Sequence, residues 1–357
     1  KHHFYGGVNI EAVGGGSGLV EAEIRRALQI GCEIRYDTAA TRLIQDKNKK
    51  ITGLEISSPD GIETINARSI VLACGGFESN PEMRARYLGP GWDLARVRGT
   101  KHNMGDGIKM AIDIGARAYG NWSGCHSVGW DISAPEYGDY EVLDNFQKHS
   151  YPWGIMVNTD GNRFVDEGED LRNHTYVKFG REIMNQPNRT AVQIFDQKTI
   201  PLLRDEYRIR QVTKVSGNTI AELAQELEIN ASALTKTIDE FNAACKPGKF
   251  NPSILDGVAT TGLNPNKTNW ALPIDEPPFE AFITTTGVTF TFGGLKVDDK
   301  GSVLDNNDRS IGGLFAAGEL VGGLFYENYP GGSGLMAGAV YGKIAGENAA
   351  SYAVGNT

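Results

Sequence analysis

The chain has no run of 18 or more consecutive apolar residues, the length a membrane-spanning helix needs, so no span is expected. It also has no basic surplus: 35 Lys and Arg against 44 Asp and Glu give a formal charge of −9. Neutralising nucleic-acid phosphates requires a net cationic face, so no nucleic-acid partner is expected. Cysteine is scarce. Cys32, Cys74, Cys125 and Cys245 are scattered, with no Cys-x-x-Cys pair and no His at zinc-finger spacing. That argues against a disulfide framework and against a metal site. Reduced, mostly buried thiols are the expectation, with the cytoplasm as the expected location. An initiator Met and a signal peptide are also absent. Lys1-His2-His3-Phe4 leads straight into a Gly-rich stretch, which suggests a fragment or a processed chain. What is abundant is glycine, 45 of 357 residues, nearly twice the usual share of about 7%. Excess glycine without low complexity suggests tight turns and close backbone approaches to a ligand.

Three blocks follow one another. Residues 1–120 alternate helix and strand signals. Ala22, Ile24, Ala27 and Leu28 have helical spacing within Glu21–Ile30, and Gly31 closes that helix. Glu33–Tyr36 reads as a short strand. Ala40–Gln45, Ile51–Ser57 and Glu63–Asn66 read as a β-meander turning at Lys47-Asn48-Lys49 and Pro59-Asp60-Gly61. Ser69–Ala73 is a continuous apolar run, expected as a buried parallel strand. A helix is expected from Gly105-Asp106-Gly107 through Ala116. Residues 121–283 carry more aromatics and charge, with amphipathic helices over Thr219–Leu227 and Ala231–Ala244. Residues 284–357 return to Gly-rich α/β texture, with strands at Leu295–Asp298 and Gly313–Ala317 and a helix from about Leu335 to Ala350. The expected architecture is an α/β domain (1–120 and 284–357) interrupted by an α+β cap (121–283).

Two strand ends terminate in small residues, Ala73-Cys74-Gly75-Gly76 and Ala316-Ala317-Gly318-Glu319. In open α/β sheets ligands bind outside the carboxyl ends of strands, where side chains would obstruct them. Glu319 is placed to accept hydrogen bonds from sugar-like hydroxyls. Tyr329-Pro330-Gly331-Gly332-Ser333-Gly334-Leu335 ends at a helix start, whose free N–H groups favour an electron-rich oxygen.

These stretches resemble the flavoprotein family of fumarate reductase and succinate dehydrogenase. The resemblance rests on Val71–Phe77, Asn103–Ile108, Gly161–Glu167, Gly293–Asp298, Gly313–Glu319 and Tyr329–Gly346. The last of these is most similar to the tricarballylate dehydrogenase-like branch. It implies an FAD domain interrupted by a cap, with substrate between them. It places FAD contacts at Gly75, Asp106, Glu319, Ser333, Gly334 and Leu335, and the adenine side near Ala40 and Ala73. The family's Gly-x-Gly-x-x-Gly turn does not occur here, which implies that roughly 100 or more family residues precede Lys1.

The resemblance also implies catalytic residues. Arg172, which follows Arg163-Phe164-Val165-Asp166-Glu167, is assigned as the proton-moving arginine, with a substrate clamp or a cap salt bridge as its structural alternative. His126 matches a substrate-binding histidine, and His174 is a weaker candidate. Where fumarate reductases carry a second substrate histidine this chain has Phe290, and where they carry a carboxylate-binding arginine it has Tyr329. The expected activity is FAD-dependent oxidation or reduction of a CH–CH bond beside a carboxylate of a small tricarballylate- or fumarate-like substrate. An unidentified electron donor or acceptor completes the reaction. A 3-ketosteroid dehydrogenase-like enzyme, with Tyr329 as its catalytic tyrosine, and an apo fragment without activity are the alternatives.

Overall fold

The computed structural model describes residues 12–355. Lys1-His2-His3-Phe4 and the first expected domain through residue 11 lie outside the described residues, as do 356 and 357. The first helix runs over Gly15–Gln29, starting earlier than Glu21, and none of its residues is buried. Gly31, at φ 87°, ends it in the left-handed conformation that glycine adopts without a Cβ penalty.

Glu33–Tyr36 is not a strand. Among the described residues no ladder partner lies beside it, and the segment is irregular. The meander does form, over Ala39–Gln45, Ile51–Ser58 and Gly61–Asn66, with antiparallel pairing throughout. Its inward face carries Leu43, Ile51 and Leu54 into a core shared with Leu72, Phe77, Ile108 and Leu314.

A second sheet brings distant parts of the chain together. Ile70–Leu72 lies parallel to Ser310–Ala316, which pairs antiparallel with Ser302–Leu304. The strand expected at Leu295–Asp298 is absent. Leu295 ends a longer strand, Val297 makes a single bridge to Val303, and the Asp298 carboxylate turns the chain by accepting the N–H groups of Lys300 and Ser302.

The third sheet has six strands, and its spine is the 17-residue strand Phe279–Leu295. Along one part of its length it pairs with Ala191–Phe195 and Lys214–Gly217. It also pairs antiparallel with Ala118–Asp131 and parallel with Arg96–Val97. The strand runs uninterrupted through the expected boundary between 283 and 284.

Helices Ile220–Glu226, with a Thr219/Glu222 capping box, and Ala231–Ala244, capped by Asn230, pack Leu223, Leu234, Ile238 and Phe241 against Ile155, Val192 and Ile194. The helix expected to reach Ala116 stops at Asp113, where Gly115 at φ 98° breaks it. The last helix is longer than expected, Ser333–Val354, and only Ala345 and Ala349 are buried in it.

Cys32 and Cys74 are exposed, Cys245 is half-buried and Cys125 is buried, so the thiols are not mostly buried. Cys32 sits in the irregular segment after the first helix, and Cys74 faces a cavity at a strand end. Among the described residues no helix is long and apolar enough to cross a membrane.

Candidate active site

The antiparallel register of Phe279–Leu295 with Ala118–Asp131 sets Phe290 opposite His126. His126 is buried, with its ring stacked on Tyr329 (centroids 4.4 Å apart, planes 11° apart) and edge-on to Tyr176 at 5.2 Å. Its Nε2 has no hydrogen-bond partner among the described residues. Burial, and then the nearby Arg98 charge, push its imidazole well below the usual histidine range, so it is neutral at pH 7.

Arg172 opens helix Arg172–Met184, and Tyr176 lies one turn on, over the same face. The Arg172 Nη1 is 3.4 Å from Nδ1 of His149, a buried histidine that sequence reasoning missed. His149 in turn lies 5.2 Å from the Tyr176 ring. Burial, followed by the Arg172 charge, drives His149 well below its ordinary value. Burial, followed by the like charge of Arg204, lowers the Arg172 guanidinium from its own ordinary value. Arg172, His149, Tyr176, His126 and Tyr329 therefore form one connected group. His174 does not join it. Two residues after Arg172 on a helix it points about 200° away, is largely exposed and pairs with Asp170 at 3.0 Å.

Tyr329 ties this group to the last helix. Its phenol oxygen accepts the N–H of Gly334 at 2.8 Å. A Cβ on Gly334 would lie 2.4 Å from that oxygen, so the approach requires glycine. Beyond Ser333 and Gly334, Leu335 is 68% exposed and Met336 60% exposed. Around Gly342 and Gly346, about two and three turns further along, there is open space.

The strand-end glycines differ from expectation. The room left by Gly75 and Gly76 is filled by the protein itself. A Cβ on Gly75 would meet the Asn103 amide at 2.6 Å, and one on Gly76 would meet Thr291 Oγ1 at 2.1 Å and Glu319 Oε1 at 2.2 Å. Glu319 Oε1 accepts the Thr291 N–H (2.7 Å) and hydroxyl (3.1 Å), and its carboxyl interacts with that of the buried Glu78, another residue missed from sequence, whose Oε2 has no hydrogen-bond partner among the described residues. Glu78 is also held by the Asn103 amide. Burial and the adjacent carboxylate push Glu319 well above the usual carboxylate range, and burial raises Glu78.

Ala40, Ala73, Cys74, Asp106, Gly107 and Met110 instead line an open cavity of about 1110 Å³ between the meander and the helix Asp106–Asp113. Asp106 occupies the first position of that helix. The structure thus brings Ala40, Ala73 and Asp106 to one cavity, and Ser333, Gly334 and Leu335 to one helix start.

Against known proteins, residues 2–335 match the family model described as FAD binding domain. The chain belongs to the fumarate reductase and succinate dehydrogenase flavoprotein family. Within that family it is 29% identical over 344 residues to a probable fumarate reductase of Shewanella frigidimarina, covering 95% of this chain and 54% of the relative. It therefore spans about half the length of that relative. Among solved structures it resembles the open conformation of a flavocytochrome c3 fumarate reductase, with a TM-score of 0.73 and 26% identity over 96% of this chain and 57% of that one. The 3-ketosteroid Δ1-dehydrogenase of Sterolibacterium denitrificans gives the same TM-score and identity over 94% of this chain and 63% of that one. The mixed α/β architecture is that of this flavoprotein family, and its cofactor is FAD. The residues present fit that group. A cavity larger than the usual 300–1,000 Å³ of small-ligand pockets lies at the strand ends, and the last helix starts beside an exposed apolar face at Leu335 and Met336.

Proposed function

We propose that this chain carries the flavin and substrate sites of an FAD-dependent oxidoreductase acting on a carbon–carbon bond next to a carboxylate. In this reading residues 121–283 form the cap, and FAD is held by Ala40, Ala73, Gly75, Asp106, Glu319, Ser333, Gly334 and Leu335. The observation that carries it is the convergence of Arg172, His149, Tyr176, His126 and Tyr329 beside the start of the helix Ser333–Val354. The chemistry FAD supplies when bound is hydride exchange with one substrate carbon.

The protein's own residues do the rest. Arg172 moves the proton at the neighbouring carbon, helped by a guanidinium pKa that burial lowers. His126, neutral and with Nε2 unpaired, donates an Nε2–H to the substrate carboxylate. Tyr329, whose oxygen already takes the Gly334 N–H, has its hydroxyl proton left to give. The aromatic wall of Tyr176, Phe290, Phe325 and Tyr329 keeps water from the reacting carbons. The substrate proposed is a small tricarballylate- or fumarate-like acid, with an external electron partner and a cytoplasmic location.

A second reading is favoured by one observation. Tyr329 stands at the helix start among phenylalanines rather than cations, an arrangement suited to polarising a ketone. Anaerobic stopped flow on the flavin-loaded, full-length protein tests both readings. Flavin bleaching by tricarballylate supports the first. Bleaching by a 3-ketosteroid alone replaces it with the second.

A further inference from the structure

A second arginine, Arg98, acts on Tyr176 alongside Arg172. Arg98 follows the strand Arg96–Val97, and its backbone N–H bonds the Val288 carbonyl at 2.8 Å. Its guanidinium is fastened at three points. Nε and Nη2 grip the Asp144 carboxylate, the latter at 2.6 Å, and Nη1 donates to Thr289 Oγ1 at 3.3 Å. The guanidinium carbon sits 5.8 Å from the centre of the Trp130 ring. Such a guanidinium is held in one orientation before any ligand arrives. Of its five N–H bonds these partners use three, which leaves two.

Arg98 lines a cavity of about 630 Å³, together with Lys101, His102, Trp130, Tyr137 and Thr289 among others. Two aspartates also line it. Asp139 is engaged by the N–H groups of Glu141 and Val142, and Asp144 by Arg98 itself. Thr289, which lines the cavity, is the chain neighbour of Phe290, whose ring centroid lies 5.6 Å from that of Tyr329. The Arg98 charge also reaches His126, Tyr176 and Tyr329.

We propose that Arg98 is a specificity-determining residue that takes a second substrate carboxylate, remote from the one at His126 and Tyr329, so that the site selects di- and tricarboxylates over monocarboxylates. This rests on the proposed substrate site. Asp144 acts as a positioning residue. It aims the guanidinium at a cost in net positive charge, so the two side chains have opposite effects on a dianion.

The test is equilibrium binding by isothermal titration calorimetry on the flavin-loaded, full-length protein, with succinate and butyrate as probes of equal carbon number. Wild type should bind succinate more tightly than butyrate. Arg98→Met should weaken succinate by about ten- to a hundred-fold, the worth of a charge-assisted hydrogen bond, and leave butyrate within about two-fold. Asp144→Asn keeps an acceptor but removes the charge, and should tighten succinate or leave it unchanged. If Arg98→Met leaves succinate binding intact, or weakens both acids equally, the assignment of Arg98 falls while the substrate site stands. If wild type binds neither acid, both the assignment and the site reading fall.

Discussion

The buried carboxyl groups of Glu78 and Glu319 act on each other, one held by Asn103 and the other by Thr291. Two buried, interacting carboxylates cannot both ionise cheaply, so the pair retains a proton well above the usual carboxylate range. A raised folded-state pKa contributes stability that is complete below the ordinary value near 4.5 and is lost as pH rises through the raised one. Glu319→Gln mimics the protonated member and keeps an acceptor for Thr291. Denaturant melts from pH 5 to 8 should show wild type losing stability relative to this variant as pH rises. Parallel curves would show that the pair does not share a proton.

The histidines act in the opposite direction. His126 and His149 are both held neutral in the folded state, below the ordinary value near 6.5. The unfolded chain therefore takes up protons first as pH falls below about 6.5, and stability drops with it. His126→Gln and His149→Gln should each flatten the acid limb of the stability curve between pH 6.5 and 5, as measured by denaturant midpoints. A wild-type limb that those substitutions leave unchanged would mean the imidazoles are charged in the folded protein.

Much of the backbone was legible because its signals are local. The meander shows alternation and clear turn residues, and the capping box at Thr219 and Glu222 marks its helix start. Glu33–Tyr36 has strand-like residues but no neighbour to pair with among the described residues, and no local pattern reveals a missing partner. Arg98, His149 and Glu78 were illegible as a site for the same reason. Each becomes meaningful only when the strand Phe279–Leu295 gathers segments from residues 96, 118, 191 and 214. Tyr176 was within reach, since Arg172 and Tyr176 share an i, i+4 face once the segment is read as a helix rather than extended. The same reading would have turned His174 away.

Gly334 should tolerate no side chain. Gly334→Ala places a Cβ 2.4 Å from the Tyr329 oxygen, an overpacking expected to cost about 1–3 kcal/mol. The melting temperature should fall by a few degrees, and Tyr329→Phe in the same chain should recover part of the loss by removing the clashing atom. An unchanged melting temperature in the single variant would mean that Tyr329 does not approach the helix start.

Arg172→Lys keeps the charge but loses the planar fork that reaches His149. Substrate-dependent flavin reduction in the full-length protein should fall by about 10²–10⁴-fold, the contribution of a positioned acid or base, with flavin content unchanged. Rapid reduction in that variant would leave Arg172 as a clamp outside the proton path.

The strand Phe279–Leu295 also has a consequence for how the polypeptide is made. Ala118–Asp131, Ala191–Phe195 and Lys214–Gly217 all take this one late strand as partner. At synthesis rates of about 5–20 residues per second, the first of them waits on the order of ten seconds with its ladder groups unsatisfied. Nascent chains halted before residue 279 present several open edges at once, the surfaces that templated self-association uses. Ribosome-bound intermediates of this protein therefore depend on chaperone shielding until translation passes about residue 295, and slow codons placed just before that strand should lower soluble yield without altering the finished molecule.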